Sequence, residues 1–143
     1  MISIENIKKF IYIINDKYSI DLAYLFGSVA RNQYNKDSDI DIAIKFKNKY
    51  SKMDEIFIRG EIIDIGKAYF KRNVDIVSLD NAPIALKYEI IKDGILLIDC
   101  YERVSIESLI IREYFDFKYF SDIYDKEIIK RLKDGTYFGG ENG

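Results

Sequence analysis

Two strand patterns joined by a polar connection, between residues 20 and 46, constrain the fold most strongly. Residues 20–27, IDLAYLFG, hold an unbroken apolar run that is typical of a buried strand. Residues 40–46, IDIAIKF, alternate between Ile or Phe and a second set of side chains, as in a strand whose two faces differ. A short helical turn, SVARNQ, and a polar loop, YNKDS, connect them. The chain therefore has to build a sheet, with one tight strand-to-helix junction at Gly27-Ser28.

The rest of the chain alternates between helical and extended patterns. Apolar residues at helical spacing predict a helix over residues 4–17, and Ser51 is a suitable N-cap for a second helix that ends near Phe70. A strand is expected over 73–80, a helix from Pro83 to about Lys92 with Pro83 in its first turn, and a last strand over 95–99. Residues 102–133 again look helical. This order indicates an α/β (α+β) fold with a helical C-terminal segment.

The length of 143 residues suits one domain. We expect a core over about residues 1–100, a helical segment over about 101–134, and a mobile tail over 135–143. No apolar run approaches the roughly 18 residues of a membrane helix. The single cysteine, Cys100, cannot form an internal disulfide, so a cytoplasmic location is expected.

The composition also limits the chemistry. The chain has no histidine, which excludes Ser-His-Asp catalysis and histidine zinc sites, and one cysteine excludes thiolate zinc clusters. Acid–base work then falls to carboxylates, lysines or tyrosines, and any catalytic metal should be a hard cation with oxygen ligands. A net charge of -2 argues against general binding of nucleic acid.

Gly27-Ser28 and, ten residues later, Asp39-Ile40-Asp41 form the most informative motif. Residues two apart in a strand point to the same face, so Asp39 and Asp41 present two carboxylates that suit Mg²⁺ bound to a triphosphate. Glycine lets the backbone approach a ligand closely, and a helix start with the Ser28 hydroxyl suits phosphate. Arg31, one turn further on, is placed to neutralise phosphate charge.

The segment GSVARNQYNKDSDID resembles the Gly-Ser-x10-Asp-x-Asp signature of the DNA polymerase beta-like nucleotidyltransferases. The resemblance implies a short mixed sheet flanked by helices and a third carboxylate on a neighbouring strand. Asp75, in RNVDIVSL, is the best match for that third acid. Asp64, Asp80 and Asp99 are weaker matches, because the predicted elements place them on a helix or at strand ends.

The layout through DIVSLDNAPIALKYEIIKDGILLID is similar to minimal nucleotidyltransferases of the MntA type. That resemblance implies an antitoxin that inactivates a HEPN-domain (HepT-type) RNase by transferring AMP from ATP to a tyrosine. It also implies two Mg²⁺ ions held by Asp39, Asp41 and Asp75, with Asp75 near the acceptor oxygen and available to take its proton. Nucleotide transfer to a small molecule such as an aminoglycoside, and a non-catalytic binding antitoxin, are the alternatives. Direct binding of nucleic acid or of a membrane is not expected.

Two further features have more than one interpretation. Lys71 and Arg72 precede the Asp75 strand and are either phosphate contacts or a solvated pair. The C-terminal segment is dense in aromatic residues, of which we expect about half to be buried and the remainder to mark a protein interface. These residues are Tyr114, Phe115, Phe117, Tyr119, Phe120 and Tyr124.

Overall fold

The structure, a computed structural model, describes residues 2–135. The strands span Ile20–Phe26 (β1), Ile40–Phe46 (β2), Val74–Ser78 (β3) and Ile95–Ile98 (β4). They form a sheet in the order β3-β2-β1-β4. β1 is antiparallel to β2 and to β4, whereas β2 and β3 are parallel. The predicted short mixed sheet is thus confirmed, and the predicted strand bounds shift by two residues at most.

The helices of the described residues are Ile4–Tyr18 (α1), Gly27–Ala30 (α2), Lys52–Phe70 (α3), Ile84–Asp93 (α4) and Arg103–Asp134 (α5). α3 is the crossover that the parallel pairing of β2 with β3 requires. The four longer predicted helices are present within one residue of their expected bounds. The short turn expected over SVARNQ forms α2, which ends three residues earlier, at Ala30. Within residues 2–135, no helix combines the length and the apolar character needed to cross a membrane.

The sheet separates two apolar layers. On one face, α1 and α3 bury Phe10 and Ile62 against Ile40, Ile42 and Ile44 of β2. On the other face, α4 and the start of α5 pack on a smaller cluster. That cluster consists of the buried residues Leu22, Tyr24, Phe26, Ala43, Leu79 and Ile90. The alternation of β2 therefore places its isoleucines in the larger layer and leaves Asp41, Ala43 and Lys45 for the other face.

Side-chain caps fix the start of two helices. The Ser51 hydroxyl accepts a hydrogen bond from the Asp54 N–H at 3.1 Å, which confirms Ser51 as the N-cap of α3. Ser3 caps α1 in the same way through the Asn6 N–H. Pro83 occupies the N-cap position of α4 rather than the first helical position, one residue earlier than expected.

The first half of α3 is less buried than its apolar sequence suggests. Met53, Ile56 and Phe57 are all exposed, whereas Ile62 and Gly66 of the second half are buried. Only the second half packs closely, since the Gly66 position lies against Val74 and Phe10. The apolar residues at the start of α3 thus indicated the helix correctly but do not contribute to the core.

The expectation that about half of the C-terminal aromatic residues are buried is wrong. Tyr114 is half-buried, because its ring stacks on Tyr88 of α4 at 3.9 Å, but the other five are at least half exposed. These side chains are exposed because α5 is longer than α4, the helix against which it packs. α5 has 32 residues and extends roughly 48 Å, whereas α4 has 10 and offers roughly 15 Å of packing surface. The predicted mobile tail falls, beyond Gly135, outside the described residues.

Candidate active site

The end of β1 places Gly27 directly beside a carboxylate of β2. Phe26 is the register partner of Asp41, and Gly27 follows with a φ of 76°, in the left-handed region that favours glycine. A Cβ atom added to Gly27 would lie 2.2 Å from Oδ2 of Asp41. Backbone conformation and space therefore both require glycine at this position. The Gly-Ser junction and the Asp-x-Asp strand form one corner of the fold.

The same register brings the second and third acids together. Asp41 of β2 pairs with Asp75 of β3 in the parallel ladder, where neighbouring strands lie about 4.8 Å apart. Asp41 is half-buried and Asp75 is exposed. Asp39 is exposed and precedes β2 by one residue. The three acids that the sequence singled out thus lie at one corner of the sheet.

The electrostatics of this corner favour a cation. Burial, followed by the charges of Asp75 and Asp39, raises the pKa of Asp41 to about 6, while Arg31 opposes the increase. A divalent cation bound between these oxygens would replace the repulsion by attraction. The three acids therefore fit a hard cation, as the absence of histidine requires.

The carboxylates are spaced rather than clustered. The carboxylate oxygens of Asp39, Asp41 and Asp75 do not all lie within 4.8 Å of one another. Among the described residues, only Asp21, Cys100 and Glu102 bring three potential ligand atoms that close together. The trio around Cys100 lies toward the opposite end of β1, and burial raises the pKa of the Cys100 thiol, which keeps it in its poorly ligating protonated form.

Arg31 and Ser28 lie at the corner but make no contact that defines their roles. The Arg31 guanidinium donates to Glu89 of α4 at 3.4 Å and to Gln33 at 3.3 Å. The Ser28 carbonyl accepts from the Gln33 N–H, which holds the turn after α2. The phosphate-binding roles of Gly27, Ser28 and Arg31 stay predictions.

The competing third acids lie away from the corner, and two of them form ion pairs. Asp80 forms an ion pair with Lys45 at 3.0 Å, and Asp99 forms one with Arg103 at 2.8 Å. Asp64 is exposed on α3. Asp75 is the only one of the four in register with Asp41.

Arg72 is half-buried rather than a freely solvated side chain, and its contact with phosphate stays a prediction. Its guanidinium Nη1 donates to the backbone carbonyls of Asn35 and Ser38, both at 3.2 Å, and thereby holds the loop that leads into Asp39. The Ile40 N–H donates to the Asn73 carbonyl at 3.0 Å across the same junction. No residue-type signal in the sequence indicates this contact, because every residue has a backbone carbonyl. Lys71 is exposed and adopts a positive φ of 54°.

Two proteins of known sequence are similar to this chain. Both come from Methanocaldococcus jannaschii. The first, named "Putative protein adenylyltransferase MJ0435", is 29% identical over 93 residues, which is 65% of this chain and 96% of the relative. The second, the similarly named MJ1379, is 33% identical over 75 residues, or 52% of this chain and 72% of the relative.

Solved structures of toxin–antitoxin complexes share the fold. A chain from a toxin–antitoxin crystallised with AMP-PNP superposes with a TM-score of 0.72 at 20% identity, covering 85% of this chain and 98% of that one. A chain from the tri-AMPylated Shewanella oneidensis HEPN toxin in complex with its MNT antitoxin gives 0.68 at 21% identity, with 87% and 97% covered.

The family assignment rests on the sequence itself. Residues 6–103, which run from α1 to the start of α5, match the family described as Polymerase beta, Nucleotidyltransferase. This range contains the Gly27 junction and all three acids of the corner. The chain therefore belongs to the polymerase beta nucleotidyltransferase family and is a nucleotidyltransferase enzyme.

Proposed function

We propose that this chain is a protein adenylyltransferase antitoxin, which transfers AMP from ATP to a tyrosine of a cognate HEPN-type RNase toxin. Both Methanocaldococcus relatives carry the name of protein adenylyltransferases. The structural relatives come from toxin–antitoxin complexes, one with an ATP analogue and one with an AMPylated toxin. These relationships support AMP as the group transferred and a protein as its acceptor.

The observation that carries the proposal is the pairing of Asp41 with Asp75 beside Gly27. This pairing concentrates negative charge at the end of β1, where the absence of a side chain on Gly27 makes room for the Asp41 carboxylate. Such an arrangement costs stability unless a cation is bound, and proteins accept such costs at functional sites. We assign Asp39, Asp41 and Asp75 as ligands of two Mg²⁺ ions, and Gly27, Ser28 and Arg31 as contacts of the ATP phosphates.

Bound Mg²⁺ supplies Lewis acidity, which lowers the pKa of an acceptor hydroxyl and stabilises the charge of departing pyrophosphate. Around it, the protein positions the reactants. Asp41, which lies beside Gly27, fixes the triphosphate together with Asp39, and Asp75 on β3 faces the incoming acceptor. The acceptor role goes to Asp75 rather than to its register partner Asp41, because Asp41 is half-buried and Asp75 is open to solvent.

The reaction forms one bond and breaks one. The tyrosine oxygen attacks the α-phosphorus of ATP, a new O–P bond forms, and the bond from the α-phosphorus to the bridging oxygen breaks and releases pyrophosphate. The phenol proton passes to the Asp75 carboxylate. A phenol has a pKa near 10, so this carboxylate and a neighbouring cation suffice without histidine.

A protein acceptor suits the open geometry of the corner. Asp39 and Asp75 are both exposed, so a folded partner has room to present a side chain. Addition of AMP places a bulky anion on the toxin, which repels an RNA backbone approaching the same surface. Modification of a tyrosine near the RNase site would therefore silence the toxin.

The direct test is to incubate the purified chain and its toxin with ATP and Mg²⁺ and to measure the intact mass of the toxin. We expect a gain of one or more AMP units, loss of RNase activity, and neither effect with the Asp39→Asn/Asp41→Asn double variant. Asp80→Asn is the matched control, because Asp80 is paired with Lys45 outside the corner and its loss should leave transfer intact.

Two outcomes would replace the proposal. If the toxin is silenced at unchanged mass while the pair binds, the chain is a binding antitoxin. If the toxin is not modified but an aminoglycoside or another small hydroxyl compound consumes ATP and releases pyrophosphate, the chain is a small-molecule nucleotidyltransferase.

A further inference from the structure

An open, basic cavity of about 500 Å³ lies at the same end of the sheet as the acidic corner. Its lining comes from the loop before β2, from the last turn of α3 and from the residues that lead into β3, and consists of Lys36, Asp37, Lys67, Lys71, Arg72 and Asn73. The volume is within the range of small-molecule sites, roughly 300–1,000 Å³. Within residues 2–135, none of the four cationic side chains forms an ion pair. A chain of net charge -2 therefore concentrates uncompensated positive charge in one concave surface.

The end of α3 accounts for only part of this charge. Lys67 and Lys71 lie at the C-terminus of the helix, where cations are favourable. Lys36 comes from the loop after α2, so the end of α3 does not require it. Lys71 also has a φ of 54°, in the left-handed region where helices usually place glycine. A lysine at that position supplies a charge that the geometry of the helix end does not need.

Arg72 is held in place at the wall of the cavity. Its Nη1 donates to the carbonyls of Asn35 and Ser38, both at 3.2 Å, and these two hydrogen bonds fix the guanidinium. Both bonds use Nη1, which leaves the Nε–Nη2 edge, within the described part of the chain, without a hydrogen-bond partner. Such an edge binds two oxygens of one phosphate group. The cavity thus contains a preorganised phosphate ligand beside its flexible lysines.

A second cavity of about 190 Å³ adjoins the first, and the two share Arg72. Asn6, Tyr69 and Phe70 line this second cavity. The Tyr69 ring is 42% exposed and packs edge-on against Phe70, with centroids 4.8 Å apart. An exposed aromatic ring provides a stacking surface for a nucleobase, and an asparagine amide both donates and accepts hydrogen bonds. The two cavities together offer a phosphate part and a base part, joined at one arginine.

The position of the cavities differs from that of the triphosphate site. In the sheet order β3-β2-β1-β4, Gly27 follows β1, whereas the residues around the basic cavity precede β2 and β3. Arg72 is three residues before Asp75, so the two lie within about 10 Å of each other. The basic cavity therefore lies on the side of the corner that is farther from Gly27 and nearer to Asp75.

We propose that the two cavities form a second nucleotide site, which binds a nucleoside phosphate without Mg²⁺. Its phosphate contacts Lys36, Lys71 and Arg72, and its base stacks on Tyr69. The acidic corner cannot substitute for this site in the absence of a metal, because its carboxylates repel phosphate. The ligand is either a free nucleotide or the AMP carried by a modified acceptor, and only the second source rests on the proposed function.

The first test locates the site by NMR. AMP is titrated into the ¹⁵N-labelled chain in EDTA, and the amide shifts are recorded. We expect saturable shifts at Lys36, Lys71 and Asn73 and none at Gly27 and Ser28, because the corner needs Mg²⁺ to accept phosphate.

The second test separates a ligand-binding role of the lysines from a structural one. Lys36→Gln/Lys71→Gly should weaken AMP binding roughly tenfold or more, since it removes two charges next to the phosphate. Lys71→Gly alone should weaken binding and yet melt no lower than the unaltered chain, because glycine relieves the positive φ. Lys118→Gln is the matched control: it removes the same charge from an exposed position of α5 and should bind AMP normally.

The third test examines the base and the source of the ligand. AMP should bind roughly tenfold more tightly than ribose 5-phosphate, because the base adds stacking, and Tyr69→Leu should remove that advantage without weakening ribose 5-phosphate. N-acetyl-tyrosine amide that carries AMP on its phenol oxygen distinguishes the sources. Tighter binding of this compound than of AMP would identify a modified acceptor as the ligand, and equal binding a free nucleotide.

Four results would overturn the proposal. AMP then causes no saturable shift in EDTA; or it shifts Gly27 and Ser28 instead; or Lys36→Gln/Lys71→Gly binds it undiminished; or ribose 5-phosphate binds as tightly as AMP. None of these results affects the mass measurement on the toxin with Mg-ATP. An unmodified toxin beside normal AMP binding at the cavities would instead contradict the proposed function alone.

Discussion

The two ends of β2 present polar residues on the same face of the same strand, yet their charges are arranged in opposite ways. At one end, Asp41 faces Asp75, and the cation that most lowers its pKa, Arg31, also forms an ion pair with Glu89. At the other end, Lys45 forms an ion pair with Asp80 at 3.0 Å. Ala43, which is buried, lies between the two ends.

We interpret the Asp41 end of β2 as functional and the Lys45 end as an ordinary surface contact. The Lys45–Asp80 pair is a compensated surface contact, whose removal costs little. The Asp41 end concentrates like charge that Arg31 compensates only in part. Glycine at position 27 and the register of β2 with β3 hold the carboxylates there. Each prediction below tests whether the two ends differ in this way, beginning with the largest effect.

Removal of both motif acids should abolish nucleotide transfer and leave the fold intact. The Asp39→Asn/Asp41→Asn variant loses two ligands of the proposed metal site, and metal stabilisation of the transition state is worth several kcal/mol, so the rate should fall roughly a thousandfold or more. Transfer from labelled ATP with Mg²⁺, measured beside the melting temperature, tests this. Lys45→Met/Asp80→Asn, at the other end of β2, should retain transfer; residual activity in a folded Asp39→Asn/Asp41→Asn variant would contradict the metal assignment.

Asp75 should affect the chemical step more than the binding of ATP. If its carboxylate takes the acceptor proton, Asp75→Asn should lower single-turnover rates about 10²- to 10³-fold while Mg-ATP affinity changes little. Binding titration and quenched turnover on one sample decide between the two effects. If Asp75→Asn turns over normally, Asp80 or Asp64 would be the third carboxylate of the site. Asp80→Asn, measured in parallel, would distinguish these two residues.

Gly27 connects the strand end to the acidic corner, and a second glycine serves as its control. In Gly27→Ala, the new Cβ would displace the Asp41 carboxylate, which can rotate, so the larger loss should fall on activity, roughly 10- to 100-fold. The positive φ adds about 1–2 kcal/mol of destabilisation. Gly60 of α3 has open space at its Cβ position, so Gly60→Ala should keep full activity and gain up to about 1 kcal/mol. Equal effects of the two substitutions would contradict the special role of Gly27.

The corner was largely predictable from the sequence because its parts are local. Gly27-Ser28 and Asp39-x-Asp41 stand within fifteen residues, and the alternation of β2 determines which side chains share a face. Asp75 was found because a strand pattern surrounds it, and the parallel register then places it beside Asp41. The functional roles of these residues remain predictions until they are measured.

Other features depend on tertiary contacts that leave no local pattern. Arg72 binds backbone carbonyls, which any residue provides, so residue types could not indicate it. The exposure of Phe57 and of the α5 aromatics depends on how far each helix extends past its neighbours. Helical periodicity predicts that a face exists, but the lengths of the elements packed against it decide whether that face is covered.

Arg72 should position the loop before Asp39 and therefore affect the Mg²⁺ concentration that transfer requires. We expect Arg72→Met to raise the Mg²⁺ concentration needed for half-maximal transfer and to lower the rate roughly tenfold, because the loop loses the two hydrogen bonds from Arg72. Arg72→Lys, which keeps one donor group, should restore part of the effect. Lys71→Met is the adjacent control, exposed at a positive φ, and should leave the Mg²⁺ dependence unchanged. An unchanged Mg²⁺ dependence in Arg72→Met would show that the loop does not need this contact.

The smallest expected effect is on the stability of the metal-free protein, and it has opposite signs at the two ends of β2. The pKa of Asp41 is raised from 3.8 to about 6, so the folded state binds its proton more tightly than the unfolded chain does. This group therefore contributes stability that is complete below about pH 4 and is lost as the pH rises through about 6. In EDTA at pH 7.5, Asp41→Asn should be more stable than the unaltered chain, and at pH 4 the two should match.

Because Asp41 is only half-buried, solvent screening reduces the gain at pH 7.5 to about 1 kcal/mol, or roughly 3 °C in melting temperature. Asp80→Asn, which breaks the ion pair with Lys45, should instead lower stability at pH 7.5 by less than about 1 kcal/mol. Thermal melts of the three proteins from pH 4 to pH 8 test both signs. Added Mg-ATP should then stabilise the unaltered chain and Asp80→Asn but not Asp41→Asn, since a ligand stabilises only the state that binds it. If Asp41→Asn gains no stability at pH 7.5 in EDTA, then Asp41 is not under electrostatic strain and the contrast between the two ends of β2 is lost.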